Sequence, residues 1–467
     1  MRRSEGVFEE EECAMLAMFG LIIVAGFMTL IMTKRATPFT SLVLVPLVVG
    51  IVAAFVTGAF KWTDIFKFAI AGISSNAELQ ITGVANTAVM LLFAILYFGL
   101  MLTAGLFDPV VAFILRVVKG DPLKVLVGTA VLSLAVSVDG DGSTTTLVVC
   151  SAMIPVYRKL KMKMMDLAVL IILANSIMNL LPWGGPTARI IAALKVDEGE
   201  LLRRIIPGMV LAALWVVGVA VIRGLAERKR LGVVDITPEE LAEVGKTTHP
   251  EDVDLGRAHK VWFNLVLTMV MMVVLIFGGE LPFIPKVNAA LIFAIGFALA
   301  LVINYGNLVD QRRVVEKYGS SAVQVIIMVL AAGVFMGVLA GTGMSGAMGQ
   351  ALSDWVPDAL GSHWPLVTAI ASAPGTFLLS NDAFYLGVLP VLNQVGVQNG
   401  FAPMDIAIAS TAGQAFHLLS PLVGFIYLLL NLTGVEMGKW QITSAKWGLG
   451  TFAAFLLCMF TVGGVPL

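Results

Sequence analysis

Apolar runs long enough to cross a bilayer recur along most of this chain, and charge, glycine and proline break several of them. A membrane-spanning helix needs about 20 predominantly apolar residues. Within hydrocarbon every backbone polar group needs an internal partner, so spanning segments are helices or closed barrels. Runs of this length predict helices, and the chain reads as an all-α polytopic membrane protein. Its 58% hydrophobic and 13% charged residues agree, because soluble domains carry about 25% charge. Spans are predicted at 16–33, 38–60, 84–105, 122–138, 144–157, 165–194, 206–222, 260–278, 287–304, 320–341, 365–380, 383–397, 404–432 and 446–463. Segments 62–80, 107–119 and 344–358 mix apolar and polar residues and read as interfacial helices or connectors.

Several classes fall away. The net charge of −1 gives nucleic acid no basic face to bind. Cys13, Cys150 and Cys458 are scattered, so neither a disulfide framework nor a metal cluster is expected. The stretch Met1–Glu12 is acidic overall, with five Glu against Arg2 and Arg3, so it is not expected to be the basic n-region of a cleavable signal peptide. Lys and Arg concentrate in alternate loops. This predicts a multi-pass protein with both termini outside and the polar stretch 223–259 as a cytoplasmic linker.

A repeat is visible at a spacing near 240 residues. Asp139 is matched by Asn381, each about 17 residues after a proline-marked start, Asp121-Pro122 or Trp364-Pro365. Each is followed about 40 residues later by a proline inside a long apolar span, Pro182 or Pro421. Under the predicted orientation the first hairpin enters from the cytoplasm and the second from outside. That is an inverted repeat, as in secondary transporters that bind substrate near the midplane on discontinuous helices. It divides the chain into 1–222 (hairpin 121–163, broken helix 165–195), the linker, and 260–467 (hairpin 363–400, broken helix 404–432).

Four polar elements carry the chemistry. In Asp139-Gly140-Asp141-Gly142-Ser143-Thr144, acids sit among apolar residues, a functional signature in a membrane. The glycines let backbone approach a ligand, and a helix starting at Ser143 or Thr144 offers N–H groups to an anion. The alternative is a surface turn. The second element begins at Asn179 and runs through Pro182, Gly184, Gly185 and Pro186. It must break its span, and Thr187 restarts a helix before Arg189, a planar cation suited to carboxylates. The alternative is a kink with a snorkelling arginine. The third, Ser380-Asn381-Asp382, again places an acid amid apolar residues. In the fourth, His417 lies three residues after Gln414 and one turn before Ser420-Pro421. It is either a satisfied packing residue or a proton carrier.

These four motifs resemble the citrate–metal:proton symporter family (CitMHS) of the ion transporter superfamily. The resemblance covers almost the whole chain from about Met15. It implies a homodimer in the cytoplasmic membrane, with a scaffold and a mobile transport domain working as an elevator. It also implies cargo of citrate complexed with a divalent cation such as Mg or Ca, symported with protons, and no permanently bound metal or cofactor. In the sodium–dicarboxylate branch the hairpin tips carry Ser-Asn-Thr; the acidic first tip here argues for proton or metal-complex coupling.

The expected site is then Gly140, Gly142, Ser143, Thr144, Asn179, Pro182, Gly184, Gly185, Pro186, Thr187, Ser380, Asn381, Ser420 and Pro421 around citrate. Arg189 would balance its charge. Asp139, Asp141, Asp382 or His417 would face the metal or carry the proton. A di- or tricarboxylate carrier without metal is one alternative. A second is an intramembrane aspartyl protease pairing Asp382 with Asp139 or Asp141. A third is a channel.

Overall fold

A computed structural model describes residues 2–118, 120–233, 255–278, 285, 287–354 and 356–466. Every named element among them is helical, and one isolated bridge joins Asn76 to Ile81. Helix starts follow local chemistry. Asp121 accepts the Leu123 N–H at 3.1 Å with Pro122 in the first turn. Asp197 accepts the Glu200 N–H and Asn307 the Asp310 N–H, both at 2.8 Å. These two caps explain why two helices outrun the predicted spans 206–222 and 320–341. Glu198–Leu231 and Leu308–Gly341 are each 34 residues long, because polar turns extend the apolar core into the interface.

Helix Leu308–Gly341 packs along Pro38–Thr57, Asp64–Ser74 and Ala85–Thr103. The amphipathic segment predicted near 62–80 is therefore no mere interfacial connector. Ile65, Phe68 and Ala71 are buried, and a Cβ at Gly72 would stand 2.0 Å from the Gly333 carbonyl oxygen. Small residues at 333 and 337 let the two backbones meet, as in membrane helix pairs generally. Met344–Ser353, predicted as a connector, is likewise packed between Arg2–Met32 and Leu389–Gln398. Asp108–Val118 keeps its amphipathic character, with Ile114, Leu115 and Val118 buried against the first hairpin.

Around Glu198–Leu231 gather the hairpin arm Pro122–Val136, the half-helix Met164–Met178 and the last helix Met437–Thr461. The helix runs nine residues into the segment predicted as linker; 234–254 lie outside the described residues. Its C-terminal end touches the base of the first hairpin, and its N-terminal end the start of the second broken helix, where the chain leaves the second hairpin. Near its C-terminus Arg228 pairs with Asp121 at 3.4 Å, and Arg230 donates to the Lys161 carbonyl at 2.9 Å. Near its N-terminus Arg204 lies 3.6 Å from Asp405, just beyond the second hairpin. From residue 204 to 228 a helix rises about 36 Å, more than the ~30 Å of a hydrocarbon core. The two hairpins therefore enter from opposite ends.

Two broken helices complete the repeat. The first runs Met164–Met178 and Gly185–Leu194; the second runs Pro403–Thr411, Gln414–His417 and Gly424–Thr433. A shift of 239 residues, from 185 to 424, carries one restart onto the other, and it carries Asp166 onto Asp405.

Candidate functional site

The first hairpin turns through Ser137–Asp139 and returns as Gly142–Lys159. Gly140 has φ +79°, a left-handed conformation that favours glycine. Asp139 accepts the Asp141 N–H at 2.9 Å. Asp141 in turn accepts the Thr144 N–H at 2.8 Å, the Thr144 hydroxyl at 2.7 Å and the Ser143 N–H at 3.3 Å. The helix thus begins at Gly142, one or two residues earlier than predicted. Its exposed N–H groups are occupied by Asp141, the position in which the sequence had placed a cargo anion. This is ordinary N-cap chemistry, and it leaves the tip acidic rather than anion-seeking.

At the first break, Met164–Met178 ends at Asn179 and the chain restarts at Gly185 instead of Thr187. The turn is so tight that a Cβ at Gly184 would stand 1.9 Å from the Asn179 carbonyl oxygen. The buried Thr187 hydroxyl closes the break by donating to the Leu180 carbonyl at 2.7 Å. The N-cap residue Gly184 has no side chain to cap the new helix, so the Gly185 and Thr187 N–H groups and the positive dipole end point into the break. Trp183 fastens the break to the first hairpin, its indole N–H donating to the Val138 carbonyl at 2.8 Å. A Cβ at Gly140 would lie 3.2 Å from the Gly184 Cα, so tip and break touch directly.

The second hairpin runs Trp364–Leu378, turns at Ser380-Asn381-Asp382, passes through a π-helical stretch Ala383–Val388 and returns as Leu389–Gln398. The Ser380 hydroxyl accepts the Ala383 N–H at 3.2 Å. Asn381 accepts from Gln414 at 3.1 Å, and the same Gln414 amide nitrogen donates to the Tyr385 hydroxyl at 2.8 Å. Asp382 accepts from Arg189 Nε at 2.6 Å, while Arg189 Nη1 reaches the Gly185 carbonyl at 2.8 Å. The arginine expected to balance cargo charge is thus already balanced. Asp382 faces that cation rather than Asp139 or Asp141, which removes the pairing an aspartyl protease needs.

His417 stands behind the tip rather than in it. It is buried, and its Nδ1 lies 2.7 Å from the Thr376 carbonyl. The Thr376 hydroxyl donates to the Gly413 carbonyl at 2.9 Å. The histidine contact ties the hairpin arm to the first half of the second broken helix. At the second break the buried Ser420 hydroxyl accepts the Leu422 N–H at 3.2 Å, and Pro421 is exposed. The restart at Gly424 again lacks a side-chain cap.

The four elements converge with crossed connections. The first tip meets the second restart, since a Cβ at Gly142 would stand 2.2 Å from the Phe425 ring. The second tip meets the first restart through Asp382 and Arg189. Sequence reasoning missed Trp183 and Phe425. The signal for Trp183 was an indole N–H in a polar break, which needs a partner when buried. It also missed two stripes, Thr129/Ser133/Ser137 and Thr368/Ser372/Thr376, all fully buried and related by the same 239-residue shift. Each faces the first half of its own broken helix: Asn175 donates to the Ser137 hydroxyl at 3.4 Å, and Thr376 reaches Gly413.

The sequence profile of the citrate transporter family (CitMHS) matches residues 27–413. A citrate transporter of Bacillus subtilis strain 168 is 42% identical over 96% of this chain and 99% of its own length. A Mg(2+)/citrate complex secondary transporter of the same organism is 40% identical over 97% of this chain and all of its own. The crystal structure of the Alcanivorax borkumensis YdaH transporter, described as having an unusual topology, superposes with a TM-score of 0.56 at 16% identity. It covers 86% of this chain and 89% of that one, and so shares the fold. These relatives are transporters and not enzymes. With the profile spanning most of its length and these relatives matching nearly all of it, the chain belongs to the citrate transporter family.

Proposed function

We propose that this protein carries citrate as a complex with a divalent cation, in symport with protons, across the cytoplasmic membrane. The observation that carries the reading is the contact between a tip bearing Asp139 and Asp141 and the uncapped helix start at Gly184-Gly185. One side of that contact is negative and the other offers the N–H groups of Gly185 and Thr187, since the Gly184 N–H is bonded to the Leu181 carbonyl and Pro186 has none. A metal–citrate complex presents a cation on one face and carboxylates on another, and it matches both. The relative named for the Mg(2+)/citrate complex supports the same cargo. Among the described residues no group of three His, Cys, Asp or Glu could hold a metal alone, so citrate would supply the remaining oxygen ligands that hard cations take.

In this reading Asp139 and Asp141 face the metal. The backbone N–H groups at the helix starts Gly185–Thr187 and Gly424-Phe425, with Ser143, Ser380 and Asn381, hold citrate oxygens, because the Ser420 and Leu422 N–H groups are already bonded. Arg189 stays outside that shell, held by Asp382. The scaffold is the group of helices around Leu308–Gly341, and the transport domain is the group around Glu198–Leu231 with both hairpins, working as an elevator in a homodimer with both termini outside. The experiment is uptake of labelled citrate into proteoliposomes under an imposed pH gradient, with Mg or Ca present or chelated. Uptake should require the metal and collapse with the gradient. Equal, sodium-driven uptake in chelator would replace this reading with that of a metal-independent carboxylate carrier.

A further inference from the structure

The Arg189–Asp382 pair lies at the boundary between the two helix groups. The cleft beside it is lined by Ala188, Arg189, Asp382 and Leu386 on one side and by Val325, Met328 and Val329 of Leu308–Gly341 on the other. The facing wall offers the pair aliphatic and thioether side chains only. Arg189 is one-fifth exposed and Asp382 somewhat less, so neither is fully solvated. The two belong to different repeats, and the π-helical stretch begins at the residue after Asp382. Such single-turn departures from regular helix are frequent at functional sites.

We propose that Asp382 is the fixed counter-ion of Arg189, and that the pair keeps the mobile face neutral while it passes the Val325–Val329 wall. Its role is in translocation, outside the cargo shell. This role rests on the elevator motion proposed above. A bare charge moved along an apolar membrane wall is costly, whereas a hydrogen-bonded ion pair presents no net charge. Arg189 also donates to the Gly185 carbonyl, so the cation is fixed to its own half-helix and crosses with it.

The test separates binding from crossing. Asp382→Asn keeps an acceptor oxygen but leaves Arg189 unneutralised. Binding of Mg–citrate to the purified protein in detergent, by calorimetry, should stay within about threefold of wild type. Uptake into proteoliposomes should fall at least tenfold. The charge-free double variant R189Q/D382N should recover uptake to within about threefold. A loss of binding equal to the loss of uptake would place Asp382 in the cargo shell and overturn the proposal, as would a double variant as slow as the single one. A cargo-independent readout keeps the two readings apart: disulfide cross-linking of Ala192→Cys to Val325→Cys in a chain with Cys13, Cys150 and Cys458 replaced by Ala. With an added thiol oxidant, formation of that disulfide should slow at least tenfold with Asp382→Asn. An unchanged rate of cross-linking overturns the neutral-pair proposal. A wild type that binds no Mg–citrate overturns only the cargo reading.

Discussion

Trp183 donates its indole N–H to the Val138 carbonyl at 2.8 Å, and this one bond joins the first break to the first hairpin tip. The ring is held in turn by Phe98, stacked at 5.1 Å and 26°, and by Phe293 edge-on at 5.3 Å. Trp183→Phe preserves an aromatic body and removes the donor. It should cost about 0.5–1.5 kcal/mol, while Trp183→Ala should cost about 3–5 kcal/mol. Thermal unfolding in detergent reads the difference. If the two variants melt alike, the N–H does not hold the tip.

The two aspartates related by the repeat are paired unequally. Asp166 meets Arg223 at 2.6 Å with its side chain almost wholly buried, whereas Asp405 meets Arg204 at 3.6 Å. Breaking a buried pair costs about 3–5 kcal/mol because a charge is left unpaired. Arg223 keeps some exposure, so Asp166→Asn should fall at the lower end of that range. Asp405→Asn should cost about 1 kcal/mol or less, as partly exposed pairs do. Unfolding midpoints in the same detergent rank the two, and a larger loss at Asp405 would contradict the geometry.

Much of the fold was legible because a membrane leaves few choices. Apolar length gave the helices, and Pro182 and Pro421 gave the breaks, since no other residue interrupts a helix so strongly. Helix ends were misjudged where polar turns extend past the hydrocarbon, as after Asp197 and Asn307. The site was legible as a list of residues but not as a set of partners. Arg189 reads in sequence as an unpaired cation, and only its spatial neighbour Asp382, 193 residues away, shows otherwise. Asp141 reads as a ligand, and only helix geometry shows it capping Ser143 and Thr144.

Neighbouring glycines at the first break should respond oppositely. A Cβ at Gly184 meets backbone, the Asn179 carbonyl oxygen at 1.9 Å, while one at Gly185 meets only the flexible Arg189 guanidinium at 3.1 Å. Backbone cannot swing aside, so Gly184→Ala should cost at least the ~1–3 kcal/mol of overpacking and reduce folded yield. Gly185→Ala should fold normally, because the arginine end can shift a few tenths of an ångström. Size-exclusion profiles and melting curves check both, and equal behaviour would mean the break is looser than it looks.

Asp141 both caps a helix and supplies negative charge at the tip, and one substitution separates the two. Asparagine is as good an N-cap as aspartate, so Asp141→Asn keeps one acceptor oxygen for the Thr144 N–H, gives up the longer bond to the Ser143 N–H at 3.3 Å, and changes stability by less than ~1 kcal/mol. It removes the charge and leaves the main cap bond. If that charge faces the metal of a metal–citrate complex, affinity for Mg–citrate should fall about tenfold, equivalent to ~1.4 kcal/mol. Affinity for free citrate should hold or rise, since a negative neighbour has gone. Calorimetric titrations with Mg–citrate and with citrate in chelator give the two numbers on one sample. Equal losses for both ligands would mean the cap itself was disturbed, and the melting curve would report it. Unchanged Mg–citrate affinity in a stable variant would take Asp141 out of the metal's surroundings and leave Asp139 as the acid at that tip.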